Sequence, residues 1–214
     1  MNATARILST TLLCLGAFVA RGAEITTTLT DAQGHLLPEG FIYAVPAQAP
    51  PMSGKAKVAK IDQVDKEFVP RSSVIQAGTM IEFPNSDNIR HQVYSFSPAN
   101  TFQLKLYSGR PSSPVAFEKP GLVVLGCNIH DQMVAWVLVV DTPWFARADA
   151  QGKASLHDLP PGKYELLAWH PSAGEPRSAG TVSLAEKESL SRAIQLSTTT
   201  PAAIASNDDT GAHH

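Results

Sequence analysis

The stretch Leu122–Val140 reads LVVLGCNIHDQMVAWVLVV, two apolar runs separated by a loop that carries Cys127, His130 and Met133. Both runs are short and rich in β-branched residues, which is typical of β-strands. The second run, Val134–Val140, is almost entirely apolar, so we expect a central strand that is buried on both faces. The sequence therefore predicts two neighbouring strands joined by a loop that can bind a metal.

Cys127, His130 and Met133 offer a thiolate, an imidazole and a thioether at positions i, i+3 and i+6. Soft or borderline metals, copper above all, prefer such ligands. A second histidine, His91, lies upstream in another predicted corner between strands. Two imidazoles, a thiolate and a weak axial thioether form the ligand set of an electron-transfer copper site. Each residue also has a structural explanation, as a loop histidine, a turn cap, a core methionine or a small buried thiol.

The chain has two cysteines, Cys14 and Cys127. Residues 1–23 hold an early Arg6, then an apolar stretch without acidic residues, then small residues, as in a cleaved signal peptide for export to the periplasm. Loss of Cys14 with this segment leaves Cys127 with no disulfide partner. A lone thiol in an oxidising compartment is expected to be buried or bound to a metal. An uncleaved membrane anchor is the alternative interpretation of residues 1–23.

The rest of the chain is patterned as an all-β protein. It contains 16 prolines and 14 glycines and shows no long helical period. Eight short strands at such spacing are typical of a sandwich or a barrel. The strands predicted in the middle of the chain are Lys55–Gln63, Glu67–Gln76, Thr79–Phe83, Gln92–Ser97, Thr101–Tyr107, Pro114–Glu118, Leu122–Gly126 and Val134–Asp141.

The flanks carry further strand and turn patterns. Segment 24–48 has the pattern of two strands, and segment 143–196 contains turn sequences between apolar runs. One interpretation is a second, small β-sandwich formed by both flanks, into which the middle segment is inserted. The other is that the flanks extend the sheets of the middle segment. The polar tail, 197–214, is expected to be disordered.

The middle segment, 55–141, contains several motifs in a characteristic order. They are Phe68-Val69-Pro70, Ala77-Gly78-Thr79, Ile81-Glu82-Phe83-Pro84-Asn85, His91-Gln92-Val93-Tyr94, Pro120-Gly121 and the loop from Cys127 to Met133. With them the segment resembles a cupredoxin, and its Cys-x-x-His-x-x-Met loop is similar to that of amicyanin. The whole chain is similar to the plastocyanin-like exported proteins labelled methylamine-utilisation proteins. The flanks resemble a carboxypeptidase-regulatory or transthyretin-like sandwich.

The resemblance implies a Greek-key β-sandwich that binds one copper ion through His91, Cys127, His130 and Met133. It implies a type 1 (blue) copper protein that carries single electrons between a donor and an acceptor redox protein. Such a protein is not an enzyme, because four protein ligands leave a substrate no place on the metal.

Two further side chains are expected to brace the ligand loops, as metal sites commonly require. They are Asn85 and Gln92, although Asn85 also suits an Asx turn after a proline. Asp131 and Gln132 depart from the pattern of the resemblance, in which a proline and an apolar residue follow the second histidine. The surface around that histidine is therefore expected to be more polar than is usual in such carriers.

Composition excludes some classes of function. The formal net charge is −2, and no basic run or basic–aromatic stripe indicates nucleic-acid binding. After signal cleavage no run is apolar and long enough to be a membrane span. Two alternative functions stay open on the sequence alone: a copper chaperone or sensor that binds Cu(I), and a non-redox β-sandwich binding or scaffold module with a vestigial metal site.

Overall fold

A computed structural model describes residues 22–48, 57–111 and 113–198. In these residues the chain forms seventeen β-strands and one short 3-10 helix, Pro171–Ala173, so the all-β prediction is confirmed. None of the described helices is long and apolar enough to span a membrane. Nearly all of the predicted signal peptide and the predicted tail from residue 199 lie outside the described residues.

The strands fall into a middle set and a flanking set. The middle set comprises β3 (Val58–Lys60), β4 (Asp62–Val64), β5 (Glu67–Val69), β6 (Ser72–Gln76), β7 (Thr79–Glu82), β8 (Tyr94–Ser97), β9 (Asn100–Gln103), β10 (Val115–Phe117), β11 (Gly121–Gly126) and β12 (Val134–Val140). The flanking set comprises β1 (Ala23–Asp31), β2 (Phe41–Pro46), β13 (Phe145–Arg147), β14 (Lys153–Leu159), β15 (Gly162–Trp169), β16 (Arg177–Leu184) and β17 (Ser189–Leu196).

The middle strands build a sandwich. A five-stranded sheet of order β6-β12-β11-β8-β9 faces a three-stranded sheet of order β10-β7-β3. Between them lies one apolar cluster that includes Phe83, Phe117, Cys127 and Met133. Strand β12 is central, pairing antiparallel with β11 and parallel with β6. Two of the predicted metal ligands, Cys127 and Met133, thus belong to the core of this sandwich.

Two predicted strands are interrupted in the structure. The predicted strand Lys55–Gln63 divides into β3 and β4, and Glu67–Gln76 divides into β5 and β6. Strands β4 and β5 form a separate two-stranded hairpin. Its turn residues have positive φ angles, and Pro70, which has no N–H to donate to a ladder, ends β5.

The flanking strands build a second sandwich. A sheet of order β14-β1-β17 faces a sheet of order β13-β2-β15-β16, and an apolar cluster that includes Ile25, Leu29, Leu156 and Leu166 fills the space between them. The first strand, β1, pairs in parallel with the last, β17, over eight residue pairs. Both ends of the described chain therefore lie in one sheet.

A third apolar cluster joins the two sandwiches. It contains Phe41, Tyr43 and Trp169 from the flanking strands and Val74, Leu138 and Val140 from the middle strands. Alternate residues of β12 therefore face two different cores, because side chains of successive strand residues point to opposite faces. The prediction that β12 is buried on both faces is confirmed. The four sheets of the two sandwiches form one stack.

Candidate metal centre

His91, Cys127 and His130 meet at one end of the middle sandwich. The donor atoms that they offer all lie within 4.8 Å of one another. Nδ1 of His91 is 3.9 Å from Sγ of Cys127, and the two imidazole rings have centroids 5.1 Å apart. A nitrogen–metal bond of about 2.0–2.1 Å and a sulfur–metal bond of about 2.3 Å together span about 4.4 Å. One ion can therefore contact both atoms.

The hairpin of β11 and β12 positions the cysteine loop. The pair Gly126–Val134 closes the two strands at the base of the loop, and the N–H of Met133 donates to the carbonyl of His130 at 3.0 Å. Cys127 follows β11 directly and is 2% exposed. The loop thus holds its thiol inward, at the edge of the apolar core.

His91 is held by its backbone and by its ring. It exchanges two backbone hydrogen bonds with Tyr107, each 3.0 Å long, and is completely buried. Its Nε2 lies 2.6 Å from Oδ2 of Asp87. Since the other ring nitrogen faces Cys127, the imidazole links a carboxylate on one side to the thiol on the other.

Asp87 is a functional candidate that the sequence analysis missed. Besides the contact with His91, its carboxylate accepts hydrogen bonds from the backbone N–H groups of Asp65, at 2.6 Å, and Lys66, at 3.0 Å. Burial alone would raise the pKa of Asp87, but the hydrogen bond from Lys66 and the others outweigh burial and hold the pKa below its usual value. The carboxylate is therefore ionised at neutral pH. A signal was available, since Asp87 is the acidic residue nearest to His91 along the chain.

His130 presents the most informative atom of the site. Its Nδ1 is buried, and it has no hydrogen-bond partner among the described residues. Leaving a buried polar atom unpaired costs about 1–3 kcal/mol. A metal ion shared with His91 and Cys127 would pair this nitrogen, because neutral imidazole nitrogens and thiolates are both ligands of copper. The residues present therefore fit the group that the sequence predicts.

Met133 is placed near the site without a defined bond. It is 1% exposed and belongs to the same apolar cluster as Cys127. It also lines a small surface cavity with Phe68 and Arg71. Its burial agrees equally with core packing and with an axial position, so its role as fourth ligand stays a prediction.

The two residues predicted to brace the ligand loops, Asn85 and Gln92, make hydrogen bonds to different segments. The side chain of Asn85 accepts from the N–H of Asp87 at 3.0 Å, which is the Asx turn, and donates to the carbonyls of Ile89 and Tyr107. It braces the loop of His91 against the neighbouring segment rather than against the cysteine loop.

The link between the two ligand loops runs through Gln92. Its Oε1 accepts from Nδ2 of Asn128 at 2.6 Å, and its Nε2 donates to the carbonyl of Leu104 at 2.9 Å. Gln92 is the residue after His91, and Asn128 is the residue after Cys127. This hydrogen bond therefore links the loop of His91 to the loop of Cys127.

The loops around the site expose both apolar and polar side chains. Ile89, Leu106 and Ile129, each on one of three adjoining loops, are between 37% and 52% exposed. Asp131 and Gln132, which follow His130 in the chain, are also exposed. His130 is half-buried, whereas His91 and Cys127 are buried, so of these three side chains it is the nearest to solvent.

No protein-family model and no curated protein matches this sequence. Several solved structures are similar to part of the chain. A copper-containing nitrite reductase from Thermus scotoductus SA-01 is 25% identical with a TM-score of 0.37, covering 44% of this chain and 25% of that chain. A purple cupredoxin from Nitrosopumilus maritimus is 20% identical with a TM-score of 0.34, and the match covers 38% of this chain and 99% of that chain. A plastocyanin from Dryopteris crassirhizoma is 19% identical with a TM-score of 0.34, and the match covers 38% of this chain and 100% of that chain. The chain thus spans only a quarter of the nitrite reductase that it matches.

Proposed function

We propose that this chain is a periplasmic type 1 copper protein of the cupredoxin kind, which carries single electrons between two redox proteins. One observation carries the proposal: the buried, unpartnered Nδ1 of His130 faces a site shared with Nδ1 of His91 and Sγ of Cys127. A vestigial site offers no reason to keep that nitrogen buried and unpaired.

The four residues have distinct roles in this proposal. Copper, when bound, supplies a couple between Cu(II) and Cu(I) that accepts or releases one electron. Cys127 would bind it as the thiolate, since the thiolate and not the thiol is the metal ligand. His91 and His130 would hold it through ring nitrogens, and Met133 would supply a fourth, weaker ligand. The Gln92–Asn128 hydrogen bond links the two ligand loops and would limit their rearrangement when the oxidation state changes.

Burial favours electron transfer over the two alternative functions. His91 is fully buried and Cys127 is 2% exposed. A chaperone that hands on Cu(I) needs ligands that an incoming partner can reach, whereas an electron can cross a half-buried imidazole. Buried ligands likewise leave no room for a substrate beside the metal, so we propose that the protein is not an enzyme.

We propose that exposed apolar residues near His130 form the surface that a redox partner contacts. Ile129 precedes His130 in the chain, and Ile89 and Leu106 lie close in sequence to the paired backbones of His91 and Tyr107. An apolar contact there brings a redox partner close to the imidazole, while the neighbouring Asp131 adds a charge that discriminates between partners.

The test is a visible absorption and EPR spectrum of the purified protein with one equivalent of Cu(II), compared with Cys127→Ser. We expect an intense thiolate-to-copper band and narrow copper hyperfine splitting, both lost in the variant. The double variant His213→Ala/His214→Ala removes a terminal histidine pair that can bind Cu(II) independently, and it should keep the band. Bound copper without such a band in the unmodified protein would contradict the proposal.

A further inference from the structure

Resting on the proposed copper site, we propose that Asp87 is a positioning residue that fixes His91 as a ligand and biases the bound metal toward Cu(II). The observation behind it is the 2.6 Å contact between Oδ2 of Asp87 and Nε2 of a completely buried imidazole. The carboxylate acts through the histidine and touches neither the thiol nor the other imidazole.

The contact selects one tautomer of His91. An ionised carboxylate can only accept a hydrogen bond, so the proton of a neutral imidazole must lie on Nε2. The lone pair is then on Nδ1, the nitrogen that lies 3.9 Å from Sγ of Cys127. The opposite tautomer would place a proton where the metal bond has to form and would set a lone pair against a negative charge. Carboxylate–histidine–metal linkages of this kind orient ligands in other metal sites.

The carboxylate is itself fixed before any metal binds. The backbone N–H groups of Asp65 and Lys66 donate to its two oxygens, and its own N–H donates to Oδ1 of Asn85. Asp65 and Lys66 have φ angles of 52° and 62°, a left-handed conformation that costs non-glycine residues energy. The turn between β4 and β5 is thus bent so that two successive N–H groups face one side chain.

The charge of Asp87 favours the more positive oxidation state. Its side chain is 11% exposed, so water screens its charge less than that of an exposed carboxylate. Cu(II) carries one more positive charge than Cu(I), and the hydrogen bond to Nε2 makes Nδ1 a more basic ligand. Both effects stabilise Cu(II) more than Cu(I), which predicts a lower reduction potential than the same site would have without Asp87.

The experiment compares Asp87→Asn with Asp131→Asn, which removes one exposed negative charge from the cysteine loop. Dissociation constants for Cu(II) and for Cu(I) are measured by competition with chelators of known affinity. For Asp87→Asn we expect the Cu(II) affinity to fall about 10- to 100-fold. The preference for Cu(II) over Cu(I) should fall about tenfold, or about 59 mV for one electron. Asp131→Asn should change that preference less than twofold. An equal change in both variants, or none in Asp87→Asn, would overturn the proposal.

A measurement on the metal-free protein separates this inference from the copper proposal. Two-bond ¹H–¹⁵N correlations of the His91 ring report its tautomer directly, and the remaining amide spectrum shows whether each variant is folded. We expect a single Nε2–H tautomer in the unmodified protein and in Asp87→Glu, and a loss of that selection in folded Asp87→Asn. An unmodified protein with the Nδ1–H tautomer would refute the positioning role, even if the blue band were present. The absence of the blue band would refute the proposed function while leaving this tautomer test intact.

Discussion

The phenol ring of Tyr94 lies directly over the backbone of Gly126, the residue before Cys127. A Cβ atom at position 126 would stand 2.7 Å from Cζ and Oη of Tyr94. The Tyr94 ring also packs on Phe96, with centroids 5.0 Å apart. The absence of a side chain at Gly126 therefore lets an aromatic pair cover the strand that leads into the cysteine loop.

Gly126→Ala should displace Tyr94 and lower the free energy of unfolding by about 1 kcal/mol, the low end for overpacking, because a half-buried ring can swing outward. Urea denaturation of the metal-free protein measures the change. Tyr94→Ala removes the obstructing ring, so the double variant should lose less stability than the sum of the single variants. Additive losses would show that the ring does not occupy this space.

The two candidate ligand histidines should respond differently to truncation in the metal-free protein. His91→Ala breaks a partly buried hydrogen bond to a carboxylate and should cost about 1.5–3 kcal/mol. His130→Ala removes a nitrogen that has no partner among the described residues and should cost much less. Thermal denaturation without and with Cu(II) checks both values. The unmodified protein should gain about 2.7 kcal/mol at a free copper concentration 100 times the dissociation constant, and neither variant should reach that gain.

Met133→Leu tests the axial ligand separately from core packing. The volumes are similar, so the loss of stability should stay below about 1.5 kcal/mol. If the thioether contacts copper, the variant keeps a thiolate-to-copper band, but its EPR parameters and reduction potential change. Unchanged spectra and potential in a folded variant would assign Met133 to the core alone.

The cluster between the two sandwiches should contribute strongly to stability. Trp169 is completely buried there, stacks on Phe41 with centroids 5.5 Å apart, and donates from Nε1 to the carbonyl of Gly174. Trp169→Ala should therefore lower the free energy of unfolding by about 3–5 kcal/mol. Phe96→Ala is the control. That ring is 72% exposed and packs on Tyr94, so its removal should cost at most about 1.5 kcal/mol. Similar losses in both variants would argue against a joined core.

Tyr43 should make the protein sensitive to alkali. Burial, with the charges of Glu165 and Glu175, raises the pKa of Tyr43 to about 12, above the ordinary value of about 10. The unfolded chain therefore loses this proton first, and stability falls as the pH rises from about 10 to about 12. Tyr43→Phe should reduce that slope by about 1.4 kcal/mol per pH unit. Denaturation midpoints at several alkaline pH values measure the slope, and equal slopes would contradict the buried environment.

Some of these features follow from local sequence and others do not. Strand β12 is predictable because its apolar run is continuous and both of its faces are indeed covered. The left-handed turn at Asp65 and Lys66 falls in the gap between two predicted strands, whereas the breaks that separate β4 from β3 and β5 from β6 are not predicted. The candidate ligands of loop 127–133 could be predicted to act together because they are close to one another in the sequence.

The support of the site depends on contacts that are distant in sequence. Asp87 is bound by N–H groups more than twenty residues upstream, and no spacing rule reveals such a pair. The Asx turn of Asn85 follows its local sequence pattern, whereas the reach of Gln92 to Asn128 depends on how two loops meet. The cluster around Trp169 needs the outer faces of two sandwiches, which strand alternation alone cannot match to each other.

Strand β12 carries one core on each face and begins at the residue after Met133. The packing of both sandwiches therefore determines how much the geometry of the metal site varies from one molecule to the next. Loosening the flanking sandwich would let the strand adopt a spread of tilts, each with a slightly different arrangement of donors. That spread would be visible as broadened spectral lines in an otherwise intact protein.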